Sequence, residues 1–537
     1  MALSLGIVDY ILIVVAIAIS LLIGLYFRFS GGHQKTTTEF LMGNQNVHIV
    51  PVAISVIATS LSSVSLLGVP AEMYLYGTQY AIAGLGIPLG GLLAAYGFLP
   101  VFYEMQVSTT YEYLERRFSK TTRTFVATLY TILTVLDMGV VLYAPALALN
   151  AVTGISTWAS ILSLAGVCVI YSSQGGLKAV VWTVVFQSAL MYVAMVAVII
   201  KISMMLGFTE VFQIGIKGGR FIFFEALILS IPFLIFFTVF TLWDGIALYA
   251  LFHDCDPIED ERVKLRSADQ LMPYGIIYIF GKIPGITGLC IAGVFSASLG
   301  TLSSAVNALA NITVEDFIKP FCCFKNISDT WMTFIAKLLA VGYTGLILLM
   351  ALVASSFGSI LEAATIVYCM ITAPILGIYL LGMFTTTANE KGTLIGLLMG
   401  VALYAWAGFG NNITKPAITT LPRSTAGCHT NSSVDLLSVS TEASVTESVT
   451  EILNFTRDEE SSDIFEVYKL SYMWLPLFSV AVTLVVGYIT SFLLKLCIQV
   501  PEVKPETISP FVRKFYFKSL KKTDEPKSKE KKEKEWS

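Results

Sequence analysis

The sequence predicts an all-α polytopic membrane protein, and three observations carry that prediction. Of its 537 residues, 55% are hydrophobic and only 13% are charged, giving a mean hydropathy of +0.75. Apolar runs long enough to cross a hydrocarbon core of about 30 Å recur along most of its length. The ten-residue alternation of an outer-membrane barrel is missing, and backbone groups in lipid must bond within their own segment, so the runs are read as helices.

About twelve runs qualify by length and apolarity: 10–27, 49–69, 80–102, 125–149, 158–171, 179–206, 226–252, 286–310, 331–354, 363–383, 394–409 and 473–496. The first lacks a basic leader and a small-residue cleavage site, so it is a retained anchor. The fifth is the shortest. These runs form a transmembrane domain over 1–500. A tail over 501–537 follows, carrying Arg513, Lys514, Lys518, Lys521, Lys522, Lys527, Lys529, Lys531, Lys532 and Lys534. That basic tail belongs in the cytoplasm. With Phe511, Phe515, Tyr516 and Phe517 interleaved, it also suits an anionic lipid surface.

The segment 410–469 is polar, rich in Ser and Thr, and carries acceptor sequons at Asn412, Asn431 and Asn454. Three in one loop predict an extracellular, glycosylated segment. Cys255 and Cys428 fall in two loops placed on that outer side, where a disulfide between them is expected. The other cysteines and the four histidines show no metal-ligand spacing. The net charge of −3 says nothing about nucleic acid, and no nucleic-acid partner is expected.

Orientation raises a conflict. The loop 103–124 contains Arg116, Arg117, Lys120 and Arg123, so it also belongs inside. Nine runs separate it from the basic tail, and nine crossings cannot return to the same face. One crossing is therefore expected to be absent, between Leu206 and Ala226.

Two runs carry polar chemistry. The second holds Ser55, Thr59, Ser60, Ser62, Ser63 and Ser65, followed by Gly68 and Pro70; the eighth holds Ser296, Ser298, Gly300, Thr301, Ser303 and Ser304. Small hydroxyls let helices pack closely. Clustered with helix breakers, they also suit interrupted spans whose freed carbonyls face a cavity. Hydroxyl and carbonyl oxygens are what a hard monovalent cation needs in place of water, whereas Cys or His would suit softer metals.

Five motifs extend this reading: Glu-Tyr-Leu-Glu-Arg-Arg-Phe at 112–118, Tyr-Ala-Pro-Ala-Leu-Ala-Leu-Asn at 143–150, Gly-Gly-Leu-Lys-Ala-Val-Val-Trp-Thr at 175–183, Asp-Cys-Asp-Pro at 254–257 and Val-Glu-Asp-Phe-Ile-Lys-Pro at 314–320. In order and in kind they resemble the sodium/solute symporter family, nearest its monocarboxylate, multivitamin and iodide branch. The resemblance implies a core of two inverted five-helix repeats, as in amino-acid transporters, and co-transport of sodium. It implies a sodium site at Ala58 and Leu61, through their carbonyls, with Ala297, Gly300 and Thr301. Gln187 would lie near the ion, and Ser60 and Ser65 would face the substrate.

Three departures follow from the same resemblance. Val184 stands where the family has a carboxylate. Gly300 stands where it has a hydroxyl. Between Phe224 and Ala226 a whole core helix is missing, which is the place the charge count singled out. Three acids, Asp137, Asp244 and Glu362, fall in or beside apolar runs, where an acid is a functional suspect. The expectation is a plasma-membrane symporter for a small anion and not an enzyme, since no nucleophile-base pair or paired acids appear. The alternative is a transport-inactive member acting as a sensor or regulatory protein.

Overall fold

The computed structural model describes residues 5–30, 36–43, 47–60, 62–107, 109–220, 237–260, 263, 265, 267–320, 327–354, 360–414, 420–429, 470–497 and 503–517. Among these the chain is helical throughout, with nine helices long and apolar enough to span a membrane. Helix α1 (Ile7–Phe29) opens the bundle. Asp9 fastens it: one carboxylate oxygen accepts Gly6 N–H at 2.9 Å, the other accepts Gly285 and Gly288 N–H at 2.9 and 2.8 Å. A single side chain thus caps its own helix and a second one far along the chain.

After the short α2 (Thr37–Met42), the second run forms two helices, α3 (Ile49–Ser60) and α4 (Ser63–Tyr76). The third continues through α5 (Ala81–Leu93), a π turn at Ala94–Phe98 and α6 (Leu99–Met105). Next come α7 (Thr110–Arg117) and the 34-residue α8 (Lys120–Thr153). The fifth and sixth runs follow each other within the 50 residues of α9 (Thr157–Leu206) as two helices that meet at a sharp kink at Gly176, whose φ of 60° and ψ of −165° are not helical. A straight helix of that length would reach about 75 Å, far beyond one bilayer, so the bend separates two passes. Beside it, Gly175 lies so close to Gly24 of α1 that an added Cβ would come within 3.0 Å of its carbonyl. Then follow α10 (Phe208–Lys217), α11 (Phe237–Phe252), α12 (Leu271–Phe280), α13 (Ile286–Ile312), α14 (Asp329–Ala354), α15 (Ile360–Phe384), α16 (Glu390–Thr414), α17 (Leu475–Cys497) and α18 (Pro510–Tyr516).

Two faces of the bundle are fixed by contacts distant in sequence. On one, Cys255 and Cys428 are joined by a disulfide, Gly427 N–H bonds Asp254 O at 2.8 Å, and Arg423 meets Asp256 at 3.0 Å. On the other, the 503–517 segment docks: Ser509 N–H donates to Met383 O at 2.9 Å and its hydroxyl to Gly97 O at 2.9 Å. Tyr113 OH donates to Thr507 O at 3.0 Å, and Arg513 grips Glu104 at 2.7 Å. The two basic segments therefore share this tail face. Phe511 and Phe515 of α18 remain exposed there.

The described residues on either side of the missing-crossing position lie on one face. Arg220, just before the seventh run, donates to Tyr74 O at 3.2 Å and Pro422 O at 3.1 Å, on the disulfide face. Asp254 and Cys255, just after it, lie on the same face. The stretch between Arg220 and Phe252 starts and ends on one side, and it is shorter than the roughly forty residues two passes need. The Phe224–Ala226 junction itself lies outside the described residues.

Candidate functional site

The second run breaks because its own side chains offer the backbone an alternative. Ser62 has extended dihedrals, φ −93° and ψ 174°, and its hydroxyl accepts Val64 N–H at 3.2 Å. It caps α4 and ends any continuity with α3. The eighth run, also expected to be interrupted, is not. In α13 the hydroxyls bond back to carbonyls of the preceding turn: Thr301 to Ala297 O at 3.2 Å, Ser303 to Gly300 O at 3.1 Å and Ser304 to Gly300 O at 2.9 Å. Those bonds reinforce a helix that is buried on nearly every side.

A hydroxyl seam binds the broken span to the unbroken one. On the α3 side, Thr301 Oγ1 lies 3.4 Å from Thr59 O, and Thr59 Oγ1 lies 3.4 Å from Ser304 Oγ. On the α4 side, the Ser298 hydroxyl donates to the Ser63 hydroxyl, which in turn donates to Val141 O of α8 at 3.3 Å; Ser298 Oγ itself lies 3.1 Å from that carbonyl. The break is thus bracketed by hydroxyls and carbonyls from four helices, α3, α4, α8 and α13.

Of the sequence-predicted residues, Ala58, Ala297, Gly300, Thr301 and Gln187 converge at this seam. Ala58 packs with Val180 and Val184 of α9. A Cβ placed on Gly300 would stand 3.1 Å from Gln187 Oε1 and 3.5 Å from Val184 Cγ2. The two departures, Val184 and Gly300, are therefore neighbours: where the resemblance implies a carboxylate beside a hydroxyl, this chain sets valine against glycine. Gln187 fills part of that space. Its amide nitrogen donates to Ser20 Oγ of α1 at 3.3 Å, and its buried oxygen has no partner. A small void between α1 and α13, lined by Ala16, Ser20, Phe295 and Ser296, adjoins it. Ser65 is half-buried in α4. Leu61, Asn431, Asn454 and the side chains of Ser60 and Asn412 lie outside the described residues.

Thr59, Ser63, Ser298, Ser304 and Ser20 were not among the predicted site residues. Part of the signal was visible, since Ser298, Thr301 and Ser304 recur every three residues, on neighbouring turns of one helix face. Ser20 carried none, because its role depends on α1 meeting α9.

Side chains from separate helices pack together toward both faces of the bundle. At the disulfide face the buried Arg220 guanidinium lies 3.6 Å over the Tyr249 ring and bonds Gly218 O at 2.6 Å. Burial lowers its pKa, while Tyr249 and Tyr74 oppose that shift. Toward the tail face, the rings of Tyr111 and Tyr130 sit 5.8 Å apart, and those of Phe102, Tyr113 and Tyr379 pack at 5.8–6.1 Å.

Comparison with known proteins agrees with this geometry. The pattern defining the Sodium:solute symporter family matches residues 40–217 and 222–400. Its interruption falls beside Arg220, at the start of the stretch too short for two passes. The sodium-coupled monocarboxylate transporter 1 of Homo sapiens is 35% identical, over 90% of this chain and 86% of its own. The sodium-dependent multivitamin transporter of Oryctolagus cuniculus is also 35% identical, over 91% and 82%. That second alignment runs over 541 positions, more than this chain has residues, so the relative carries positions with no counterpart here. A Na+-coupled sialic acid symporter, solved in a substrate-bound outward-open state, superposes with a TM-score of 0.69 at 20% identity. The match covers 93% of this chain and 99% of that one, and shows the shared fold. By family pattern, relatives and fold together, the chain belongs to the sodium:solute symporter family.

Proposed function

We propose that this chain couples the sodium gradient to uptake of a small anion, of the monocarboxylate, vitamin or iodide kind, across the plasma membrane. The observation that carries this reading is the seam at the α3–α4 break. Carbonyls of Ala58, Leu61 and Ala297, with Gly300 and the Thr301 hydroxyl, would hold sodium, and Gln187 would support the site. Ser60 and Ser65 would face the anion. The disulfide face would be extracellular, with 410–469 carrying sugars at Asn412, Asn431 and Asn454. The tail face would be cytoplasmic, with 501–537 against anionic lipid. No covalent chemistry, cofactor or nucleic acid enters this scheme. Binding of ion and anion in an outward-open cavity would shift the population toward an inward-open one.

The test is uptake of labelled lactate, biotin and iodide into cells displaying the full chain at their surface, with sodium or choline outside. Sodium-dependent accumulation of one of them is the expected result. Surface-delivered protein that accumulates none would favour the second reading, a transport-inactive sensor or regulator. Val184 packed against Gly300, and the family pattern broken at 218–221, support that alternative.

A further inference from the structure

The buried acids of this bundle are not equivalent. Asp244 in α11 is wholly inaccessible, and among the described residues both its carboxylate oxygens lack a partner. It is sealed. Asp137 in α8 keeps 7% of its surface accessible and forms no hydrogen bond or ion pair among the described residues. The first keeps no accessible surface and the second keeps a little.

The position of Asp137 on α8 is informative. Four residues on, roughly 6 Å along the axis, is Val141, whose carbonyl takes the Ser63 hydroxyl and lies 3.1 Å from Ser298 Oγ. Seven residues back, about 10 Å toward the tail face, is Tyr130, which packs on Tyr111 in the aromatic cluster. Residues four and seven apart share one helix face. That face therefore runs from the broken span, past Asp137, to the ring cluster toward the tail face. The titratable groups within electrostatic reach are Tyr130 on its own helix and Tyr368 and Cys369 on α15. The α4 and α13 helices turn the neutral hydroxyls of Ser63 and Ser298 toward the same face. No charged side chain from any packed helix acts on Asp137. An unpaired carboxylate in a bilayer is costly, and it is relieved by a cation or a proton.

The geometry points to Asp137 as a monovalent-cation site on the path between the broken span and the tail face, distinct from the seam itself. An ion leaving the Thr59–Thr301 oxygens toward the cytoplasm meets this carboxylate before it reaches the tyrosine cluster. The inference rests on the symporter reading for the direction of travel, and on this chain's own acid for the site. Sodium and a proton satisfy the same chemistry.

The experiment uses the purified full-length chain and reads its thermal midpoint while sodium replaces choline, at pH 6 and pH 8, since a bound ion stabilises the folded state. Asp137→Asn is expected to need at least tenfold more sodium than the wild type. Asp137→Glu should stay within a few-fold, and Asp244→Asn should follow the wild-type curve. If the midpoint follows pH instead of sodium, and Asp137→Asn removes that response, the ion is a proton. A second measurement needs no variant: a hydrophobic carbodiimide should label Asp137, read by peptide mass, and the sensed ion should protect it. An Asp137→Asn protein with the wild-type response, or wild-type labelling unaffected by either ion, overturns the site. These readouts are independent of uptake. A chain that binds but does not transport sinks the symporter reading alone, and one that transports with Asp137→Asn unimpaired sinks this inference alone.

Discussion

The α3–α4 span and α13 are built from nearly the same alphabet, yet one breaks and the other does not. Both are rich in serine and threonine, and both touch the same carbonyls. In α13 the hydroxyls of Thr301, Ser303 and Ser304 fold back onto their own helix, which stays continuous. In the second run the Ser62 hydroxyl turns forward to Val64 N–H, starting a new helix two residues after the last one stops. Hydroxyl content does not break a helix; the direction of one cap does. Because the two spans meet at the break, the unbroken one serves as a rigid template against which the freed groups of the other are held.

Changing that seam tests the contrast most severely. Thr301→Val keeps the side-chain volume but removes the hydroxyl that reaches both Thr59 O and Ala297 O. Its sodium affinity should fall about tenfold, equivalent to about 1.4 kcal/mol; an unchanged sodium titration of the thermal midpoint would remove Thr301 from the site. Ser62→Ala acts on the break itself. Losing the cap should cost about 1 kcal/mol, seen as a lower thermal midpoint, whereas the same change at Ser303, whose bond only decorates α13, should cost less. The smallest effect is expected at Gly300→Ser. The new hydroxyl would stand beside the partnerless Gln187 oxygen, so stability should hold or rise slightly and sodium affinity should improve a few-fold. A marked destabilisation would mean that Val184 and Gln187 cannot give way.

Much of this was legible before any coordinates. Hydropathy marked the membrane class, the polar runs marked the seam, and Ala58, Ala297, Gly300, Thr301 and Gln187 do converge. Other features were not legible, for identifiable reasons. The pairing of Val184 with Gly300 joins helices more than a hundred residues apart, and no local pattern records it. Ser20 looks like any small residue of an anchor helix until α9 brings Gln187 to it. The charge count found an odd number of crossings, and the Phe224–Ala226 junction on which it turns lies outside the described residues.

Composition and order of residues by themselves determined that the chain lives in a bilayer, that its two basic segments share a side, and where its oxygen-rich spans lie. These are sums over neighbouring residues, and lipid reads them locally. Tertiary structure alone decided that Arg220 and Asp254 lie on the disulfide face, that the fifth and sixth runs are separated by a non-helical Gly176, and that Asp137 keeps some accessible surface while Asp244 keeps none. Each depends on which helix faces which, and that is set by long-range packing that no window along the chain contains.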